Sequence, residues 1–152
     1  MFGDALDKKG GTSIEYIRQF MKGKFPGAPK FAVLISDVKD IAKAHVACIG
    51  NNKVGGRRLI VGKDVKRLVE LSQLIAEAMP EYKKKLPTKE LPNLMVKLIS
   101  YIDSSAKTMI PDLGIMMQTD TSYAEEILGF KFKPAKGCIS ENARSVVRLG
   151  LV

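Results

Sequence analysis

Apolar positions along the chain change their period several times, and each change marks an element. From Thr12, the residues Ile14, Ile17, Phe20 and Met21 recur at the spacing of one helical face. Thr12 or Ser13 can cap, Glu15 stands three after Thr12 as in a capping box, and Gly23 is a C-terminal stop, so a helix is predicted over 12–22. "FPGAP" is a turn, because its prolines fix φ. "FAVLIS", residues 31–36, is a continuous apolar run, the pattern of a strand covered on both faces as in a parallel sheet. Val38, Ile41, Ala42, His45, Val46 and Ile49 then fall at offsets 0, 3, 4, 7, 8 and 11, the stripe of a helix packed on one side.

"NNKVGG" turns the chain into a predicted second strand, "RRLIVG" at 57–62. A long helix is predicted over 63–79 from the spacing of apolar positions in "KDVKRLVELSQLIAEAM", ended by Pro80. "EYKKKLPTKELP" is polar, with room for a short edge strand, and "NLMVKLISYID" is helical again. "TSYAEEILGF" reads as a short helix with Thr121 as its cap and Gly129 as its stop. The tail is amphipathic through Ile139, Ala143, Val146 and Val147. Two or three short strands between six or seven helices indicate an α/β, helix-rich domain. Two strands are too few for an independent sheet.

A length of 152 residues suits one domain, and the mix of 45% hydrophobic and 27% charged residues is ordinary for a globular protein. The net charge of +9 favours anionic partners in general. Cys48 and Cys138 belong to no Cys-x-x-Cys pair, which suits reduced thiols. With neither a signal-like leader nor an apolar run near the ~20 residues of a membrane span, a soluble cytoplasmic protein is expected, with no membrane partner.

Candidate chemistry centres first on "SDVKDIAKAH", which gathers Asp37, Asp40 and the single histidine, His45. His45 lies five residues after Asp40 and eight after Asp37, so neither pair projects together from a helix as metal ligands do. Ser36 or Asp37 instead sits where an N-cap is needed, Asp40 lies in the first turn, and His45 falls on the stripe expected to be buried. The group reads as a structural joint and no metal is assigned. Two lysine clusters follow, Lys83–Lys84–Lys85–Lys89 and Lys131–Lys133–Lys136, beside Tyr82, Phe130 and Phe132. A solvated basic surface is the expected reading, and nucleic acid is not the expected partner. Met109, Met116 and Met117 either border an apolar pocket or fill core. No phosphate loop, nucleophile elbow, zinc-binding His-Glu-x-x-His or glycine-rich dinucleotide fingerprint occurs.

Taken in order, "FGDAL", "FAVLISDVKDIAKAHVACI", "RRLIVGKDV", "LPTKELPNLMVKLI" and "DTSYAEEILGFKFKPAKGCISENARSVV" resemble the C-terminal half of the extended short-chain dehydrogenase/reductases. The similarity is to the dihydroflavonol reductase and aldehyde reductase branch, and its most specific pieces are Asp37 to Ala42 and Asp120 to Phe130. The resemblance implies a Rossmann-type reductase of which residues 1–152 form a single partial domain. That domain would be the substrate-binding lobe plus the last elements of the sheet, with the N-terminal cofactor half absent. In that family a glycine-rich loop holds NAD(P), and a Tyr-x-x-x-Lys pair moves the proton. Here the residues four after Tyr16, Tyr82, Tyr101 and Tyr123 are Phe20, Leu86, Ser105 and Ile127, so no catalytic residue is assigned.

By resemblance, Gly3 is cofactor-adjacent, although Gly3-Asp4 stands where Gly-Pro is usual, and Lys39 stands where arginine is common. The helix with Ile17, Phe20 and Met21, together with Phe2 and Met116, is implied as the wall of a pocket for a small carbonyl substrate. Helix 37–50 is implied to dock Ile41, His45 and Ile49 on the absent half. Binding of NAD(P) by this chain alone is not expected. Self-association through exposed apolar faces is. A competing reading is a non-enzymatic basic module that binds nucleic acid or a protein through this lobe.

Overall fold

The computed structural model describes residues 1–9, 11–101, 107 and 109–152. Helix α1 spans Thr12–Met21 and leads through a turn to the two-residue strand β1, Ala28–Pro29, and then to β2, Ala32–Ile35. Helix α2 spans Val38–Cys48, β3 is Asp64–Arg67, and α3 is Leu68–Ala78. Strand β4, Glu90–Leu91, precedes α4, Asn93–Ile99, then α5, Ser122–Leu128, and α6, Ala135–Arg148. The expected tail end of the "NLMVKLISYID" helix, at 102–103, lies outside the described residues.

The fold is α/β with two separate two-stranded sheets. β1 pairs with β4 in parallel, Ala28 opposite Glu90, while β2 and β3 are antiparallel, with Ala32 opposite Arg67 and Ile35 opposite Asp64. A single parallel bridge joins Phe2 to Asp37, its bonds running from Phe2 N to Ser36 O (2.7 Å) and from Val38 N to Phe2 O (2.9 Å). The apolar run 31–36 is therefore a strand as expected, but its full-length partner is antiparallel.

That partner is not the expected segment. Residues 57–62 form no strand; the ladder is made by 64–67, and the helix predicted from 63 starts only at Leu68. Gly62 explains the crossing, because a Cβ there would lie 2.8 Å from Leu34 Cγ and 2.9 Å from Ile35 O. The chain passes so close to the end of β2 that only a glycine fits, and it pairs beyond that point. Val65 sits three residues before Leu68, so a strand residue completes the helical spacing by coincidence.

The main core lies between α1, α3 and α6, where Ile17, Phe20, Leu71, Ile75, Ile139 and Val146 are buried together. A second cluster, of Ala44, Ala124, Leu128 and Phe132, joins α2 to α5. Neither expected hydroxyl cap forms. Gly11 is the N-cap of α1, and Glu15 turns to Arg18 and Gln19 instead of to the cap. Thr121 makes no capping bond at α5, where Asp120 accepts from Ser122 N (2.9 Å) and Ser122 Oγ (2.6 Å).

Candidate functional site

A cleft of about 500 Å³ opens beside α1. One wall is the face of α1 that carries Thr12, Glu15, Tyr16 and Gln19; the floor is Phe25, Pro26 and Pro29 with Leu91. Val96 and Ile99 of α4 line it as well with Met109, and Lys24 is its one lysine. The volume lies in the range of small-molecule sites, and mostly apolar walls with a few polar groups are usual for them.

The implied pocket residues are not these. Ile17, Phe20 and Met21 lie on the opposite face of α1 and are fully buried in the main core. Phe2 is buried there too, and Met116 is exposed beside a shallow hollow formed with Lys30, Phe31 and Gly114. The two faces of α1 are thus divided between the core and the cleft. The apolar stripe marks what α1 gives to the core, so the cleft receives the polar side of the same helix.

Glu15 is the carboxylate of the cleft. It accepts from Arg18 Nε and Nη2 and from Gln19 Nε2, each at 2.7 Å. The bond from Arg18 outweighs the effect of partial burial and holds its pKa below the usual glutamate value. Glu15 is thus ionised at neutral pH and is an acceptor only, not a proton donor.

The joint at Asp37 is built differently from its sequence reading. Asp37 caps α2, its Oδ1 accepting from Lys39 N at 2.8 Å, and Asp40 is buried and accepts from Lys133 N at 2.6 Å. His45 is not buried: its ring lies in solvent with Nδ1 2.8 Å from Ile41 O. Val46 and Ile49, on the same expected stripe, are 69% and 81% exposed. The side of α2 that packs instead carries Asp40, Ala44, Ala47 and Cys48. Polar residues occupy the inner face because partners across the fold satisfy them. Among the described residues no three His, Cys, Asp or Glu side chains gather to hold a metal.

Lys133 bridges this region. It forms ion pairs with Asp37 Oδ2 (3.4 Å) and, more closely, with Glu141 Oε1. Burial disfavours its charged form, but the bond to Glu141 and the charge of Asp37 prevail and raise its pKa. Lys131 and Lys136 are engaged as well, with Glu125 (2.9 Å) and Glu77 (3.0 Å), so the second lysine cluster is spent on internal pairs. Phe130 and Phe132 pack edge to face on one another, with Phe132 buried. Lys83, Lys84, Lys85 and Lys89 remain exposed.

Gly3, implied as cofactor-adjacent, lies against the Asp37 joint with φ +103°. A Cβ at Gly3 would stand 2.9 Å from Asp37 Oδ2 and 3.3 Å from Val38 Cγ1. Gly3→Ala is therefore expected to destabilise the chain by about 1–3 kcal/mol through backbone strain alone, with crowding of the cap added. Urea denaturation checks this, and an unchanged midpoint would show that the segment adapts freely.

The two thiols differ sharply. Cys138 is fully buried, and burial, assisted by the charge of Asp37, pushes its thiol up to about 12. Cys48 is partly accessible. At pH 8, iodoacetamide should label Cys48 and leave Cys138 unmodified until the chain unfolds. Peptide mapping of the alkylated chain reads this directly, and rapid modification of Cys138 in the native chain would contradict its burial.

Among the described residues, neither strand-to-helix joint has the geometry of a dinucleotide phosphate site. Such a site needs a glycine-rich turn from strand into helix, with free N–H groups at the helix N-terminus. The joint from β2 to α2 contains no glycine, and Asp37 already occupies that N-terminus with a carboxylate. The joint from β3 to α3 has none either, and Arg67 N donates to Glu70 at 2.8 Å. Both helix ends present negative charge where a pyrophosphate would sit. Among the described residues no helix is long and apolar enough to cross a membrane.

No protein-family model matches the sequence, and no curated protein is significantly similar to it. Solved structures are similar in fold. The NADPH complex of the yeast methylglyoxal/isovaleraldehyde reductase Gre2 superposes with a TM-score of 0.69 at 24% identity, over 98% of this chain and 44% of that one. The structure of gox2253 gives 0.76 at 16% identity, over 99% and 48%. The Gre2–NADPH complex from Candida albicans gives 0.67 at 20%, over 97% and 41%. The chain spans less than half the length of each of these proteins. In fold, then, the chain is similar to a portion of Gre2-like NADPH-dependent reductases.

Proposed function

We propose that the cleft beside α1 is the substrate pocket of an NAD(P)-dependent reductase of aldehydes or ketones, and that residues 1–152 are its substrate-binding lobe. The observation that carries this reading is the cleft itself, set in a portion of a reductase fold. Phe25, Leu91, Val96 and Ile99 would enclose the apolar body of a carbonyl compound, and Thr12, Tyr16 and Gln19 would orient it. Gly3 would face the cofactor side of the lobe.

Hydride transfer belongs to a nicotinamide cofactor, and these residues contribute shape and exclusion of water. With no Tyr-x-x-x-Lys pair, and with both strand-to-helix joints closed to phosphate, the chain by itself is expected to be inactive. Calorimetric titration with NADPH should show no binding, and NADPH oxidation with isovaleraldehyde or methylglyoxal should stay at background. Steady turnover by the purified chain would overturn the proposal.

A further inference from the structure

We infer that the cleft takes carbonyl compounds whose apolar body ends in a carboxylate, held by Lys24. The inference rests on the cleft being the substrate pocket and adds the class of substrate.

The charge balance within the cleft carries it. Glu15 and Arg18 cancel in a two-pronged pair at 2.7 Å, and Gln19 takes up further capacity of the same carboxylate. Lys24 also lines the cleft, and it has no ion-pair partner among the described residues. Its charge helps to lower the pKa of Glu15 from a distance, but the Glu15 oxygens are occupied by Arg18 and Gln19. The cleft therefore holds one ammonium with no ion-pair partner among the described residues, in a lining that is polar on its α1 face and apolar elsewhere. A monoanion matches it in charge, and an apolar body matches Phe25, Leu91 and Val96.

The surroundings point the same way. The turn after α1 abuts the loop after α3: a Cβ on Gly23 would lie 3.4 Å from Lys85 Cβ. Ala28 N donates to Lys89 O at 2.9 Å, which brings the 83–89 segment alongside the cleft floor. Lys85 thus lies beside the turn that carries Lys24, and Lys22, Lys83, Lys84 and Lys89 belong to the same two segments, all exposed and none in an ion pair among the described residues. Of the acidic groups nearby, Glu90 is bound by Arg67 at 3.3 Å, which leaves Glu81 to oppose five lysines. Such a rim raises the local concentration of anions at the mouth of a low-dielectric cleft. A neutral aldehyde gains nothing from it.

The test compares two probes of nearly equal shape on the full chain, 6-formyl-2-naphthoate and 6-methyl-2-naphthaldehyde. Affinity is followed by fluorescence, and the site by NMR shifts of Phe25, Val96 and Ile99. The naphthoate should bind about fivefold to tenfold more tightly at low salt, with the advantage shrinking as salt screens the rim. Lys24→Gln should abolish the preference and Lys24→Arg should retain it, both with unchanged circular dichroism because the side chain is exposed. Equal affinities in the wild type, or a preference that survives Lys24→Gln, would overturn the anion inference and leave the substrate cleft standing. If neither probe shifts the cleft residues, the reading of the cleft as a substrate pocket fails, and the inference fails with it.

Discussion

Replacing Phe20 with alanine is expected to destabilise the chain by about 3–5 kcal/mol, the usual cost of removing a buried ring and leaving a cavity. Phe20 is 1% exposed, packs edge to face on Phe25 at 5.1 Å, and lies in the main core with Ile17 and Met21. A domain is stable by only about 5–15 kcal/mol, so the variant should be partly unfolded at moderate temperature. Gln19→Ala, one residue away but on the cleft side, should shift stability by less than about 1 kcal/mol. Guanidinium denaturation of both variants separates the two faces of α1. A Phe20→Ala chain that unfolds like the wild type, but binds aldehydes poorly, would return Phe20 to the pocket wall.

The second large effect is acid sensitivity centred on Glu125. This carboxylate is buried on α5, and it accepts from Lys63 Nζ (2.9 Å), Phe132 N (3.0 Å) and Lys131 Nζ (2.9 Å). The bond from Lys63, followed by those from Phe132 N and Lys131, lowers its pKa to about 2. The folded state therefore binds this proton more weakly than the unfolded chain, whose glutamate titrates near 4.5. Its stabilisation is complete above about pH 4.5 and is lost as pH falls toward 2. Thermal melts from pH 6 to pH 2 should show a steep fall in Tm. Glu125→Gln should start from a lower Tm at pH 6 and show a shallower fall, because neutralisation has already happened. Parallel curves for the two proteins would remove Glu125 from the acid response.

Much of the architecture was legible because it is local. The core face of α1, the helical extent of α2, the apolar run of β2 and the order of family pieces can be read residue by residue. What could not be read depends on distant partners. Asp37 and Asp40 face inward because Lys133, nearly a hundred positions later, meets them with its ammonium and its backbone N–H. Without that partner in view, the apolar count alone placed His45 inside, whereas its ring is exposed in this chain. The shift of the second strand from 57–62 to 64–67 has the same origin, since the narrow passage at Gly62 exists only once β2 lies beside it. The cleft itself was hidden for a simpler reason. Its α1 wall is polar and partly exposed, so it carries no periodic signal distinct from an ordinary solvated face.

The first residues and the last helix are stitched together. Asn142 Nδ2 donates to Gly3 O (2.6 Å), Ala5 N donates to Ser145 Oγ (3.0 Å), and Arg148 Nη2 meets Asp4 Oδ1 (2.7 Å). These bonds span 139–144 positions of chain. Closing such a loop carries an entropic cost before any bond forms, so this seam assembles late and slows the whole reaction. During synthesis, Phe2 can pair with Ser36 and Val38 early, but Gly3 and Asp4 wait for α6 to leave the ribosome. Until then Gly3 O, Ala5 N and the Asp4 carboxylate are without their α6 partners, and the open seam is a point at which misassembly can begin.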